Sequence, residues 1–260
     1  MKNIVIKIIM MLMPVTFYGQ SITSSVVSTA GDYYTSGNYS LSVTIGEPVI
    51  DNYTSELYKL NTGYQQGIGN RKLNLKFLLQ GLYNGSDMNQ AFDDAGPVFP
   101  FGIADKFQLL IAENTPPYTL LYNDTNALIG CNGSILSSLP AYLSGNNYLI
   151  IKHRNHLETW SSSPVSLAND TIAYNFTTAA SQAFGDNQKE VAPGVFALLV
   201  GDVNQDGVVD ISDLVAMDAD LTNGTLGYIV YDLNGDGVVD ISDLVIIDEN
   251  LTNGVVVITP

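Results

Sequence analysis

The chain has 260 residues, 46% of them hydrophobic and only 14% charged, with a formal net charge of −16. That length holds one large domain or two to three small ones, and the apolar content is enough to build a core. A nucleic-acid partner is excluded because no basic stripe exists: only 10 residues are Lys or Arg against 26 Asp or Glu, and none of the cations lies beyond Glu190.

The polar work falls to Ser, Thr, Asn, Gly and Tyr, a composition of secreted β-proteins and not of cytosolic enzymes. The acids are concentrated, with twelve Asp or Glu in residues 202–249, so much of the negative charge reads as metal-ligand density. Cys131 is the single cysteine. It cannot form an intrachain disulfide and is expected as a small apolar residue, which leaves a bound cation as the expected cross-link.

In chain order, residues 1–21 read as a secretory signal: Lys2 and Lys7, an apolar stretch from Ile8 to Val15, and small residues at Gly19-Gln20-Ser21. The apolar run is too short for a membrane span. The expected location is therefore extracellular or at the cell surface. Residues 22–70 form a Ser-, Thr-, Tyr- and Gly-rich leader expected to be a small sheet. Within it Tyr39–Ile45 alternates at period two, and Glu56–Leu60 and Gly63–Gln66 are further strand candidates. Its Ile45-Gly-Glu-Pro48 turn followed by Gly63-Tyr-Gln-Gln66 resembles a short leader of bacterial secreted and surface proteins. Gly67–Arg71 is the expected linker.

Residues 72–200 read as an all-β domain. Predicted strands are Leu73–Leu82, Phe107–Ala112, Tyr118–Tyr122, Tyr148–Lys152, Thr171–Phe176 and Val195–Val200, separated by turn signals such as Asn84-Gly85, Asn132-Gly133 and Gly145-Asn-Asn147. Short strands at this spacing predict a sandwich. The stretch Ser134–Asn155 resembles the closing hairpin of transthyretin-like or Ig-like modules.

No catalytic residue is assigned. Lys152-His-Arg-Asn-His-Leu-Glu-Thr-Trp160 gathers both histidines, an acid and the only Trp, but His153 and His156 differ by three and on one extended strand would point to opposite faces. No G-x-S-x-G elbow, phosphate loop or H-E-x-x-H motif is present. A milder reading has Trp160, with Tyr142 or Tyr148, stacking on a sugar ring while His153, Arg154 and Asn155 bond its hydroxyls. Asp93-Asp94 are adjacent in a Gly-Pro-rich loop and read as a solvated turn, not the spaced pair that glycoside hydrolysis requires.

Residues 201–256 carry a tandem repeat. Asp202 and Asp232 begin two copies 30 residues apart, and residues 202–224 and 232–254 agree at 17 of 23 positions. Each copy fits the calcium-loop pattern D-x-[DN]-x-[DN]-G with an acid at position 12. The ligands read from the pattern are Asp202, Asn204, Asp206, the Val208 carbonyl, Asp210 and Asp213 in the first copy, and Asp232, Asn234, Asp236, the Val238 carbonyl, Asp240 and Asp243 in the second. The types suit calcium, a hard cation that takes six to eight oxygens in irregular geometry. Carboxylates so crowded repel one another unless a cation lies among them. No helix precedes either loop; Val195–Val200 and Tyr228–Tyr231 read as extended. A helix follows each, with Leu214, Met217 and Leu221, and Leu244, Ile247 and Leu251, at helical spacing and Asn-Gly stops at 223–224 and 253–254.

A duplicated loop with an exit helix, no leading helix and Asp at position 12 resembles the type I dockerin family, over about residues 201–256. The resemblance implies two bound calcium ions and docking onto a cohesin, a β-sandwich receptor on a scaffold protein. It also implies that loop positions 10 and 11, here Ile211-Ser212 and Ile241-Ser242, contact the partner. Dockerins are commonly attached to proteins of polysaccharide breakdown.

The sequence thus predicts a mainly β, exported, non-catalytic chain: an Ig-like or transthyretin-like sandwich followed by a small α dockerin-like domain with two calcium loop–helix repeats. Val209 and Val239, at position 8, are expected to pair the two loops back to back. Two alternatives stand beside docking. One is a structural calcium staple in which the repeat, clasped by Val255–Pro260, packs on its own sandwich. The other is a carbohydrate-binding protein. Exposed Ile211 and Ile241 would favour docking, and burial of both against the sandwich would favour the staple.

Overall fold

The computed structural model describes four short strands within residues 32–62 and all of residues 71–260. The signal segment, the Ile45–Pro48 turn, Gly63–Gln66 and most of the linker lie outside the described residues. The chain divides into two compact units, Met1–Ile68 and Gly69–Pro260. In the first unit β1 (Asp32–Ser36) pairs antiparallel with β2 (Tyr39–Val43), and β3 (Asp51–Thr54) with β4 (Lys59–Thr62). The alternating stretch from Tyr39 is thus a strand, and the one expected at Glu56–Leu60 begins at Lys59.

The second unit is mainly β with a small helical region at its end. Its strands are β5 (Arg71–Lys76), β6 (Phe92–Asp93), β7 (Gly96–Pro97), β8 (Ile103–Glu113), β9 (Leu120–Gly130), β10 (Ser134–Leu139), β11 (Asn146–His153), β12 (His156–Trp160), β13 (Val165–Ser166), β14 (Thr171–Asn175), β15 (Lys189–Ala192) and β16 (Val195–Ala197). One sheet runs β10-β5-β14, with β14 parallel to β5. The other runs β12-β11-β8-β9, with β13 also on β11. Strand alternation turns Leu109 and Ile111 of β8, and Leu149 and Ile151 of β11, to one face, where they meet Leu73 and Leu75 of β5, Ile135 and Leu139 of β10 and Ile172 of β14 in a single core. The other face of β8 and β11 is also buried: Leu110, Ala112, Tyr148 and Ile150 pack with Trp160 under Tyr118 and Phe184.

Two strand expectations are corrected. Ser134–Asn155 is not a hairpin, because β10 pairs with β5 and β11 with β8, in different sheets. Leu73–Leu82 is a strand only to Lys76; a 3-10 turn takes Gln80–Leu82, and its Gly81 lies so close to the Leu233 carbonyl oxygen that a Cβ would stand 2.0 Å from it.

The helices are α1 (Ile211–Asn223) and α2 (Ile241–Asn253). Each starts in a capping box: the Asp210 or Asp240 side chain accepts from the backbone two residues on, and Asp213 or Asp243 reaches back to the cap. Each stops at a glycine in the left-handed region, Gly224 at φ 57° and Gly254 at φ 58°. Met217 and Ile247 are buried with Val203, Val209, Leu233 and Val239 in a cluster that also takes in Leu157, Leu199 and Val200 of the sandwich. The repeat therefore shares its core with the sandwich.

The two loops do not pair back to back. Val209 donates its N–H to Val255 O and Val239 donates to Thr225 O, each at 2.9 Å. Each loop is thus bridged to the segment leaving the other copy's helix, Val208 to Val256 and Val238 to Leu226. The reason is chain order: the segment after α1 leads into loop two, and the segment after α2 returns to loop one. Val209 and Val239 serve as buried core residues instead.

Candidate metal centre and docking face

The two loops repeat one another bond for bond. Asn204 Oδ1 accepts from Asp206 N at 2.8 Å and Asp206 Oδ1 from Val208 N at 3.0 Å; Asn234 and Asp236 do the same at the same distances. Gly207 at φ 88° and Gly237 at φ 86° make the sharp turn at position 6. In both antiparallel bridges the ladder bonds use Gly207 O and Val209 N, or Gly237 O and Val239 N. The carbonyls of Val208 and Val238 are therefore turned away from the paired segments and left for the loops.

The position-12 acids are fully buried. Asp213 Oδ1 accepts from Val203 N at 2.9 Å and Asn204 N at 3.2 Å, and its Oδ2 from Asp210 N at 2.9 Å. Asp243 holds Leu233 N, Asn234 N and Asp240 N in the same way. Each closes its loop onto the start of its helix. Asp210 and Asp240 are exposed caps, held below the usual carboxylate range by their bonds from Ser212 and Ser242.

Burial pushes Asp202 up to about 6, with the carboxylates of Asp213 and Asp206 adding to it. Asp232 also rises to about 6 through burial, with Asp243 and Asp236 contributing against the opposing pull of Arg154. Asp213 and Asp243 rise for the same first reason. As the side chains are placed, no three His, Cys, Asp or Glu groups among the described residues are gathered tightly enough to hold an ion; the position-12 carboxylates are turned to backbone N–H groups. The donor set nonetheless fits calcium. It is all oxygen, and the buried Asp202 Oδ1 has no hydrogen-bond partner, an arrangement that costs free energy unless a cation or donor meets it.

The serines expected to face a partner are engaged locally. Asn204 Nδ2 donates to Ser212 Oγ at 2.7 Å and Asn234 Nδ2 to Ser242 Oγ at 2.7 Å. The isoleucines are free: Ile211 and Ile241 are each 66% exposed. Val215 and Val245, which the motif reading passed over, are 70% and 68% exposed. Their signal was the spacing of four from each isoleucine, which puts them on the same helical face.

The histidine cluster has a different role from either one weighed in the sequence. His153 and His156 do not point to opposite faces. They flank the tight turn between β11 and β12 and oppose each other, Nδ1 to Nδ1 at 2.9 Å. Gly81 N donates to His156 Nε2 at 3.4 Å, so the proton sits on Nδ1, which reaches Asn155 Oδ1 at 2.8 Å. His153 Nε2 faces Asp105 Oδ2 at 3.2 Å. Burial opposes the Asp105 charge, but His153 and then Arg154 and Tyr228 hold its carboxyl well below the usual range. Beyond the turn, Arg154 Nη1 donates to Ile229 O, and Asn155 Nδ2 donates to Val230 O and Asp232 O, both at 3.1 Å. The turn therefore grips the backbone leading into loop two. The sugar-stacking arrangement does not form, because Trp160, His153 and Asn155 are buried and Trp160 packs edge-on with Tyr148 and Tyr118.

No protein-family model and no curated protein matches the chain. Solved structures of type II cohesin–X–dockerin complexes from Acetivibrio cellulolyticus contain chains similar to it. One, from a C-terminal interface mutant, is 15% identical with a TM-score of 0.40 over 72% of this chain and 97% of that one. The other, from an N-terminal interface mutant, is 14% identical with a TM-score of 0.39 over 70% of this chain and 95% of that one.

Proposed function

We propose that this is an exported, non-catalytic protein whose residues 201–256 form a calcium-ordered, dockerin-type module, docking the chain onto a cohesin-like domain of a surface scaffold in polysaccharide degradation. The observation that carries the reading is the duplicated apolar face. Ile211 and Val215 on α1, and Ile241 and Val245 on α2, stand about two-thirds exposed while the rest of the apolar stripe is turned inward. Apolar side chains left out in pairs on two matched helices mark an interaction surface. When bound, calcium supplies the positive charge that lets the loop oxygens converge. The chain's own part is to carry that order into the helices: Asp213 and Asp243 tie each loop to its helix cap, so a fixed loop fixes the helix start and the face it bears.

A second reading, a structural staple with no partner, is favoured by the tail: Val257 N donates to Gly207 O at 2.8 Å and Asn187 Nδ2 to Val256 O at 3.0 Å. The test uses the full chain as bait against the exported and envelope fractions of the source cell, in millimolar-scale calcium (about 10⁻⁴–10⁻³ M is the range of weak extracellular sites) and in chelator. One protein retained only in calcium, and lost when Ile211 and Ile241 are both changed to Asp, is the expected result. Calcium binding with no retained protein would leave the staple.

A further inference from the structure

The two loops match in sequence but not in surroundings. Loop two is seated on the sandwich. Phe92 N donates to Gly235 O at 2.9 Å, a Cβ on Gly235 would stand 2.4 Å from Leu82, and Asn155 and Arg154 hold the carbonyls of Asp232, Val230 and Ile229. Asp232 is satisfied on both oxygens, Oδ1 by Gly235 N at 2.8 Å and Oδ2 by Gly237 N at 3.2 Å. Loop one meets the same turn only through its backbone, Gly201 N donating to Asn155 O at 2.8 Å and Gln205 Nε2 to Arg154 O at 3.4 Å; neither the Arg154 nor the Asn155 side chain holds it. Position 4 there is Gln205, a non-glycine at φ 60°. Three of the six positions at which the copies differ point the same way. In the second copy Gly235 fits beneath Leu82, Glu249 pairs with Lys189, and Asn250 Nδ2 donates to Gln80 Oε1 at 2.8 Å and Val200 O at 2.7 Å. All three serve the seat.

We propose that the Arg154–Asn155 turn is a positioning element for loop two, so that the second site binds calcium more tightly than the first and fills before it. The inference rests on the calcium reading above and adds an order of filling to it. A loop already held near its binding shape loses less freedom when the ion arrives, and ligands locked by a supporting shell bind better than ligands left loose. Loop one must gather itself, and it holds Gln205 in a region that costs an L-residue free energy. At calcium levels between the two ranges, α2 and its Ile241–Val245 face would be anchored before α1 and its Ile211–Val215 face.

The experiment is calcium titration by calorimetry on the full chain, with each site isolated by removing the other's position-12 acid. Asp213→Ala leaves only the second site and Asp243→Ala only the first. The Asp213→Ala chain is expected to bind about tenfold more tightly, or better, than the Asp243→Ala chain, a tenfold step being ~1.4 kcal/mol. Adding Asn155→Ala to the first background should erase that advantage. Adding it to the second should leave the constant within about twofold. Circular dichroism checks that each variant folds, and Arg154→Met, which removes the grip on Ile229 O together with the ion pair to Asp105, replaces Asn155→Ala if that chain does not. Equal affinities, a tighter first site, or a turn substitution that weakens both sites alike would overturn the inference while leaving calcium binding intact. No calcium heat from the unsubstituted chain would overturn the calcium reading and this one with it.

Discussion

His156 shows how one buried side chain sets a response to pH. It is fully buried. Burial, then the electrostatic influence of His153 and Arg154, depresses its affinity for a proton well below 6.5, against the pull of Asp105. Gly81 N–H, Asn155 and His153 surround the ring. In the unfolded chain the imidazole protonates near its ordinary value. As pH falls below about 6.5 the unfolded state therefore binds the extra proton and the folded state does not, so stability drops. With calcium saturating, so that Asp202 and Asp232 do not take up protons near 6 and oppose the loss, the expected outcome is a melting temperature that falls between pH 7 and pH 5. His156→Gln, uncharged over that range, should show a flatter slope at the same calcium concentration. Equal slopes would remove His156 from the acid response. None of this was legible in the sequence. Spacing showed two histidines three apart, but only the β11–β12 turn decides that they oppose each other.

At the scale of elements, the repeat was far more legible than the sandwich. A loop of this pattern is a local object whose acids, turn glycine and helix cap all lie within twelve residues, so composition and spacing carry its shape. The exit helices and their stops at Gly224 and Gly254 followed from the same local signals. Sheet membership is not local. Ser134–Leu139 and Asn146–His153 are joined by turn residues that suit a hairpin and a crossover equally. What separates them is which side of the core Ile135 and Leu139, or Leu149 and Ile151, reach. The loop pairing failed for the same reason, since Val209 meets Val255 across 46 residues (255 − 209). The Gly224 stop is open to a clean test. No neighbour lies within 4 Å of a Cβ added there, so Gly224→Ala meets only the left-handed backbone cost, about 1–2 kcal/mol. Chemical denaturation should show a loss of that size. No loss would mean that the helix end rearranges without cost.

At the scale of the second unit, the sandwich and the repeat are joined too closely to behave as beads on a string. Leu157, Leu199 and Val200 lie in the same buried cluster as Met217 and Ile247. The β11–β12 turn holds the approach to loop two, and Val255–Val257 holds loop one. Calcium arriving at the loops should therefore stabilise strands that contribute no ligand, because anything bound only by the folded state raises the stability of the whole cooperative unit. Two probes separate the parts. Trp160, the only Trp in the chain, lies in the sandwich and reports it by fluorescence, while ellipticity at the helical wavelength is dominated by α1 and α2. Both signals are expected to melt at one temperature in calcium and to move down together in chelator. If chelator lowered the helical transition and left the Trp160 transition in place, the shared core would not be coupling the two. The repeat would then be an appendage whose order the sandwich neither feels nor supplies, and the positioning role of the Arg154–Asn155 turn would lose its physical basis.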